Sequence, residues 1–359
     1  MALTLPAIAR LRLHNQWITA PIRGDAADVV DHLMAAQSQD FAGAKWSLGL
    51  RLREATEADI QRAYDDGRIL RTHVLRPTWH FVTPSDIRWL LALTGPRVQQ
   101  ACAGMYRRGQ FEPADFRRSE AVLEKSLRGR HFLTRNELRK RLDLGGIQVA
   151  HENRLSYVLI HAELEGLICS GPRRGKQLTY ALLAERAPAL KKFDRESALA
   201  EFARRFFSTR GPATVQDMAR WATLPLAECR TAVEAAQRHL QKQAVGKQEY
   251  WFAERAAPPL ASPSAHLVSV FDEYLASYKG YDGIASEAFS ARLVAAGNGL
   301  LSVILVDGQI LGTWRRTFTK EAARIQLAPF GRLTAVQKQA IAVAAEKYAA
   351  FHGVRAEIA

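Results

Sequence analysis

Cysteine is scarce in this sequence of 359 residues, which contains three. Cys102, Cys169 and Cys229 are far apart and have neither metal-ligand spacing nor the pattern of a disulfide framework. We interpret them as reduced thiols in the core of a cytoplasmic protein. The histidines are scattered, with no pair or carboxylate cluster at ligand spacing, so we expect no metal site.

Long apolar runs and nucleotide-binding signatures are also missing. No run approaches the roughly 18 residues that a membrane-spanning helix needs, and Arg10 and Arg12 interrupt the apolar residues near the N-terminus. We therefore expect no signal peptide and no membrane partner. Gly175-Lys176 lacks the glycine spacing of a phosphate loop, and no dinucleotide fingerprint follows a predicted strand. The sequence thus predicts a soluble, intracellular protein without a cofactor.

Acidic residues are outnumbered by basic ones. Fifty Lys and Arg face 36 Asp and Glu, which gives a net charge of +14 and a pI near 10.0. This excess suits a polyanionic partner, either nucleic acid or an anionic membrane surface. The hydrophobic content of 48% is ordinary for a globular protein. The length is sufficient for two to four domains.

Short helices followed by a two-stranded ribbon recur along the chain. Thr56 and Asp59 have the spacing of a capping box, and residues 69–82 predict two short strands with Pro77 at a turn or bulge. A second capping box at Thr134-Arg135-Asn136-Glu137 opens a short helix through Leu142, and Gly166 should end the next helix. Helices followed by a small hairpin are the plan of a winged helix.

A third copy of this plan begins with an amphipathic helix that contains Leu199, Phe202 and Phe206, continues through Thr214-x-x-Asp217 and closes with a strand at residues 250–252. Pro258, Pro259 and Ser262 belong to a predicted linker. Beyond it, Asp307-Gly308 suits a tight hairpin turn, and residues 335–352 predict a helix.

The predicted fold is mainly α with small β-wings, an α+β class. It consists of three tandem winged-helix units and a C-terminal α+β portion. The predicted domains are residues 1–120 with the glutamine motif described next, 121–190 with a basic wing, 191–257, and 258–359.

The candidate site is the segment Met34-Ala35-Ala36-Gln37-Ser38-Gln39-Asp40-Phe41. The preceding apolar residues have helical spacing, which predicts that the glutamines lie at a helix end. Two neighbouring amides are notable because a buried amide costs free energy unless its donor and acceptor are both used. On spacing alone, solvent-facing glutamines beside a helix cap remain the simpler interpretation.

Other candidates lie on strands and loops. The predicted hairpin tip at residues 170–177 carries Arg173, Arg174 and Lys176, so we expect these cations to contact DNA phosphates. His80, in an alternating strand, and Asp272, at a helix start, could support a site. A structural role is the simpler interpretation for both.

Several motifs resemble the winged-helix DNA glycosylases of the AlkZ/YcaQ type. They span nearly the whole chain in order: Gln37-Ser38-Gln39-Asp40, Trp46-Ser47-Leu48, Leu75-Arg76-Pro77-Thr78-Trp79-His80, Gly171-Pro172-Arg173, Phe271-Asp272-Glu273-Tyr274-Leu275 and Gly312-Thr313-Trp314-Arg315-Arg316. The family's catalytic motif is Gln, an apolar residue, then Gln or Asp. It maps onto Gln37, Ser38 and Gln39, with Ser38 in place of the apolar residue.

The resemblance implies a monofunctional glycosylase of base excision repair that removes N7- or N3-alkylated purines and in some members unhooks interstrand crosslinks. Its partner would be double-stranded DNA containing alkylated bases, bound by a monomer in the cytoplasm at the nucleoid. The alternative is a non-catalytic winged-helix DNA-binding protein or transcriptional regulator, which the charge and the wings support equally well.

The residue types suit this chemistry. An alkylated purine is cationic and leaves without protonation, so the protein need only position water and stabilise a cationic sugar. A glutamine carbonyl can do both, although it is not a true general base. Asp40 is stronger, but on a helix it would point about 100° away from Gln39. We therefore expect Gln39 to be the more important residue.

Overall fold

The computed structural model describes residues 3–150, 153–187, 194–253, 262–281, 283–295 and 301–359. The chain divides into two compact units. The first combines Met1–Gln61, Leu199–Trp221 and Pro225–Ala359, and the second combines Arg62–Ala198 and Ala222–Leu224. The beginning and the end of the chain therefore fold together. The four consecutive domains stay a prediction. Their boundaries follow repeats along the sequence, which a division into two compact units does not test.

The chain starts with short helices and one short strand: α1 Leu5–Asn15, α2 Ala26–Leu33, β1 Ala36–Gln37, α3 Phe41–Leu50 and α4 Glu57–Asp65. The Thr56–Asp59 capping box is present at the start of α4. The prediction that the glutamines end a helix is wrong. Helix α2 stops at Leu33, and Met34 follows it with φ 64°. The apolar residues that follow are buried in non-helical chain.

The second unit contains two hairpins and a set of helices: β2 Leu70–Val74, β3 Arg76–Val82, α5 Ile87–Arg108, α6 Pro113–Leu127, β4 Leu133–Thr134, α7 Arg135–Leu144, α8 Arg154–Leu164, β5 Ile168–Arg174, β6 Gln177–Leu182 and α9 Leu183–Arg186. Leu75, with φ 66°, makes the turn between β2 and β3, whereas Pro77 lies within β3. The Thr134 capping box and Gly166 (φ 69°) delimit their helices as predicted.

From α6 to β6 the second unit has the order helix, strand, helix, helix, hairpin. Its strands pair in the order β4-β6-β5. The apolar faces of α5, α6, α7 and α8 enclose one core, which includes Val98, Leu123, Leu138 and Leu159. The two-residue turn Gly175-Lys176 projects the β5–β6 hairpin tip, where Gly175 has φ 62°.

The chain continues with α10 Arg195–Arg210, α11 Val215–Ala222, α12 Leu226–Ala236, β7 Gln241–Val245 and β8 Gln248–Phe252. These elements also run helix, helix, helix, hairpin. Ala213, just before α11, bridges to Trp251 of β8. Thr214 and Asp217 form the predicted capping interaction.

The C-terminal part adds a sheet and two longer helices: β9 Ala265–Val268, α13 Glu273–Ala276, α14 Glu287–Ala295, β10 Val303–Val306, β11 Gln309–Phe318, β12 Ala322–Pro329, α15 Ala335–Phe351 and β13 Arg355–Ile358. The strand order is β13-β12-β11-β10-β9. Asp307 and Gly308, with φ 50° and 83°, make the predicted hairpin turn. Pro258 and Pro259 lie outside the described residues.

Aromatic residues attach α3 to this sheet. The indole of Trp46 donates to the Leu267 carbonyl at 2.7 Å and packs edge-on against Tyr348 and Phe351 of α15. Trp314 of β11 packs against the same Tyr348. The predicted mainly α fold with small sheets is confirmed. Among the described residues, no helix has the length and apolar character to cross a membrane.

Candidate active site

The two glutamines lie between β1 and α3, in a segment that we call the glutamine junction, residues 34–43. Gln37 ends β1 and is 9% exposed, Ser38 is fully buried, and Gln39 is exposed. One amide is therefore held within the protein while the other reaches the surface. Ser38 fits the buried middle position because its side chain is small.

A fully buried arginine holds the carbonyls at the start of this junction. Arg210, at the end of α10, donates to the carbonyl oxygens of Leu33 and Ala35 at 2.8 and 2.9 Å. These bonds satisfy two carbonyl groups at the point where α2 has ended and no helical N–H is available to them. They give a physical reason why the apolar run does not continue as a helix.

Glu273 completes the support of the junction. Its Oε1 accepts the main-chain N–H of Gln37 at 2.8 Å, and its Oε2 accepts from Arg210 at 3.0 Å. The Trp221 indole and the Ser277 hydroxyl also donate to Oε2, at 2.8 and 2.6 Å. Because both carboxylate oxygens are bonded, the desolvation of this buried charge is offset.

Arg210 and Glu273 neutralise each other's charge inside the protein. Burial lowers the pKa of the Arg210 guanidinium, and the Glu273 carboxylate counteracts that shift. An arginine stays protonated under such conditions. The main chain at Gln37 is thus fixed by an ion pair that water does not reach, which preorganises the glutamine.

Asp272 forms a second buried pair, with Arg51 at the end of α3. The guanidinium donates to both carboxylate oxygens at 2.8 and 2.9 Å, and the Ser47 hydroxyl donates at 2.5 Å. Asp272 also accepts the main-chain N–H of Tyr274 at 2.8 Å, as the N-cap of α13. The three bonds from Arg51 and Ser47 tie α3 to α13. The cap expected for Asp272 is present, and a role of Asp272 in supporting the site stays a prediction.

Asp40 is the N-cap residue of α3, but its side chain makes no capping hydrogen bond. Its Oδ2 lies 3.7 Å from Nη2 of Arg316, on β11, and the two side chains are 34% and 22% exposed. The prediction that Asp40 points away from Gln39 on a helix is wrong, because residues 37–40 are not helical. An accessible carboxylate therefore adjoins the exposed glutamine.

His80 belongs to the second unit and is fully buried. Its Nε2 is 3.1 Å from the Arg76 guanidinium, and its Nδ1 is 3.0 Å from the Thr78 carbonyl. Since arginine only donates, Nε2 accepts and Nδ1 carries the proton. The neutral ring therefore braces its own strand. A role for His80 in catalysis stays a prediction.

The three basic residues predicted to contact DNA lie at the β5–β6 tip. Lys176 is exposed, and Arg174 forms an ion pair with Glu137 of α7, both half-exposed. The main-chain N–H of Arg173 donates to Asp65 at 2.6 Å. The tip is therefore anchored at its base and open at its end, which is a suitable geometry for phosphate contacts.

Sequence reasoning missed Arg210 and Arg51, and it considered Glu273 only as part of a stretch, Asp272-Glu273-Tyr274, that could supply a carboxylate to a site. Arg51 lies between Leu50 and Leu52, and Glu273 lies before Tyr274 and Leu275, so these two charged residues adjoin apolar ones. That placement was the available signal, because a buried charge requires a partner. The partners lie more than 60 residues away in sequence. Among the described residues, no group of three His, Cys, Asp or Glu side chains is arranged to hold a metal.

Known proteins resemble this chain over most of its length. Residues 30–351 match the family described as DNA glycosylase AlkZ-like. The chain is 24% identical over 317 residues to an interstrand DNA cross-link repair glycosylase of Streptomyces sahachiroi, covering 84% of this chain and 85% of that protein. The structure of the S. sahachiroi DNA glycosylase AlkZ matches with a TM-score of 0.83 at 22% identity, over 100% of each chain. At this identity, the structural match shows a shared fold.

Proposed function

The chain belongs to the family of AlkZ-like DNA glycosylases, and from that premise we propose that it excises alkylated purines from double-stranded DNA by means of Gln37 and Gln39. The prediction of a monofunctional DNA glycosylase, a hydrolase of N-glycosyl bonds, is confirmed by the family. The lesion and the residues that act on it are the proposed part. The alternative of a DNA-binding regulator has no specific observation in its favour.

The observation that carries the proposal is the way in which the glutamine junction is held. Glu273 and Arg210 fix the main chain on both sides of Ala36 with bonds of 2.8 to 2.9 Å. Dipoles that are oriented before the reaction need no reorganisation in the transition state, which is the main source of electrostatic catalysis. This rigid support favours a role for the two amides beyond that of surface residues.

The proposed reaction uses the leaving ability of the lesion. Alkylation at N7 or N3 makes the purine cationic, so the bond between C1′ and N9 breaks without a proton donor. The amide oxygens orient a water molecule and stabilise the oxocarbenium-like sugar. A site with neutral amides should therefore be restricted to labile, cationic lesions.

The wider substrate range and assembly are also proposals. The relative from S. sahachiroi is named for interstrand cross-link repair, so crosslinked and bulky N7 adducts are candidate substrates for this chain. We propose that it acts as a monomer through three winged-helix units. Action on chromosomal DNA supports a cytoplasmic, nucleoid-associated location.

The test is excision of N7-methylguanine from a duplex, followed by alkaline cleavage of the abasic site and gel analysis. Gln37→Ala and Gln39→Ala should each slow single-turnover excision by about 10²-fold, while DNA affinity stays nearly constant because phosphate contacts dominate it. Gln39→Asp should keep partial activity, since a carboxylate oxygen replaces the amide oxygen.

Gln100→Ala provides the matched control, because Gln100 is an exposed glutamine on α5. It should excise at the parental rate. A folded Gln37→Ala, Gln39→Ala double variant with the parental rate would exclude the glutamines from the reaction. A parental protein that binds the duplex and releases no base would support the regulator instead.

A further inference from the structure

Asp40 occupies a capping position that it does not use. At three other described helices, whose N-cap residues are Asp25, Thr134 and Thr334, the N-cap side chain accepts a main-chain N–H in a capping box, whereas Asp86, the N-cap of α5, makes no such bond. Asp40 precedes α3 at the same position and makes no such bond. Aspartate is among the best capping residues, so the residue type does not account for the missing bond.

The third residue of α3 shows why the carboxylate is placed differently. In the capping boxes this position is an acidic residue or glutamine, whereas in α3 it is Gly43. A Cβ atom at Gly43 would lie 2.8 Å from Oδ2 of Asp40 and 3.3 Å from Cβ of Ser269. The glycine therefore leaves room for the carboxylate to lie over the first turn of the helix, beside Gln39.

Arg316 is the charged partner of this carboxylate. The separation of 3.7 Å exceeds hydrogen-bond length, and both side chains are partly exposed. Such a pair contributes little to folding, and a side-chain cap would contribute more. The arrangement gives up local stability and keeps a carboxylate accessible next to the exposed glutamine.

We propose that Asp40 is a further catalytic residue of the reaction proposed above, with Arg316 as its positioning residue; this inference rests on the proposed function. The bond between C1′ and N9 breaks, and its electron pair neutralises the alkylated purine. The water oxygen bonds to C1′, and the water proton passes to the Asp40 carboxylate and then to solvent. The negative charge of Asp40 also faces the cationic sugar, which neutral amides stabilise less.

The test compares Asp40→Asn with Asp40→Glu in single-turnover excision of N7-methylguanine. Asp40→Asn keeps the shape and removes the charge, so excision should slow by about 10²-fold. The Kd for the same duplex and the thermal midpoint should stay at the parental values, because the parental side chain makes no capping bond. Asp40→Glu restores a carboxylate and should recover part of the rate. Asp66→Asn, at an exposed aspartate outside the junction, is the matched control.

Two further variants test the positioning by Arg316 and the space at Gly43. Arg316→Ala should slow excision less than Asp40→Asn, and the double variant should be no slower than Asp40→Asn alone. Gly43→Ala should displace the carboxylate and slow excision by more than any fall in the thermal midpoint accounts for, since the added Cβ also contacts Cβ of Ser269.

The outcomes separate this inference from the proposed function. If Asp40→Asn excises at the parental rate while Gln39→Ala is slow, Asp40 has no catalytic role and the proposed function stands. If Asp40→Asn is slow only in proportion to a lower thermal midpoint, and Asp40→Glu recovers stability without rate, the role is structural and the inference fails. If the parental protein releases no base, the proposed function itself fails.

Discussion

The glutamine junction and the segment 133–137 have the same local plan, a short strand followed by a helix, but use their polar side chains differently. At residues 133–137, Thr134 accepts the N–H of Glu137, and Glu137 accepts from Thr134 in return. In the glutamine junction, Asp40 makes no capping bond, and the chain is held from outside by Arg210 and Glu273. One segment is stabilised locally, and the other by residues distant in sequence.

The difference shows how the main chain of a candidate site can be fixed while its side chains stay exposed. In the capping box, the N–H of Thr134 is the largest cause that lowers the pKa of Glu137 to about 2, followed by the Thr134 hydroxyl and Arg174. The side chains of Thr134 and Glu137 are therefore both used in structural hydrogen bonds. In the glutamine junction, main-chain groups carry the structural bonds instead. This leaves the side chains of Gln39 and Asp40 accessible for chemistry.

The largest effect is expected from removing the external support of the glutamine junction. Glu273→Gln leaves the Arg210 guanidinium buried without a counter-charge, so the free energy of unfolding should fall by about 3–5 kcal/mol. Urea denaturation measures this change. The excision rate should fall even under conditions where the variant is folded, because a neutral amide oxygen at residue 273 would hold the Gln37 N–H more weakly than the carboxylate oxygen does.

Glu249→Gln is the matched control, because Glu249 forms an exposed ion pair with Lys242. It should change the unfolding free energy by no more than about 1 kcal/mol. If Glu273→Gln were as stable as Glu249→Gln, external support of the junction would be ruled out and the contrast between the two segments would disappear.

A smaller effect is expected at the locally capped segment. Thr134→Ala removes the N-cap hydroxyl of α7 and should lower the free energy of unfolding by about 1 kcal/mol, measured by thermal or urea unfolding. Excision should follow stability alone. A loss of excision in folded Thr134→Ala, as large as that in Gln39→Ala, would contradict the division between a structural and a catalytic segment.

The smallest effect on stability is expected at the β5–β6 tip, which we assign to binding. Replacing Arg173, Arg174 and Lys176 by alanine should reduce the slope of log K against log salt by about 0.9 for each phosphate that is no longer neutralised. The affinity should fall similarly for all DNA sequences, while DNA that is fully bound by the protein should lose its base at the parental rate. Fluorescence anisotropy over a salt series measures the slope, and an unchanged slope would remove the hairpin from the DNA interface.

Local signals predicted much of the fold. The capping boxes at Thr56, Thr134 and Thr214, the hairpin turn at Asp307-Gly308 and the stop at Gly166 depend on residues within a few positions of one another. The end of α2 was predicted incorrectly, because apolar spacing does not distinguish a buried helix from buried extended chain. The bonds that decide it come from Arg210, far along the chain.

The sequence by itself determined the basic charge, the motifs that identify the family, and the pair Gln37 and Gln39 as the candidate site. The tertiary structure alone decided that a carboxylate and a guanidinium from the later part of the chain fix that pair, and that Asp40 faces Arg316 instead of capping α3. The physical reason is separation. A capping bond joins neighbours and leaves a local pattern, whereas a buried ion pair joins residues that only folding brings together.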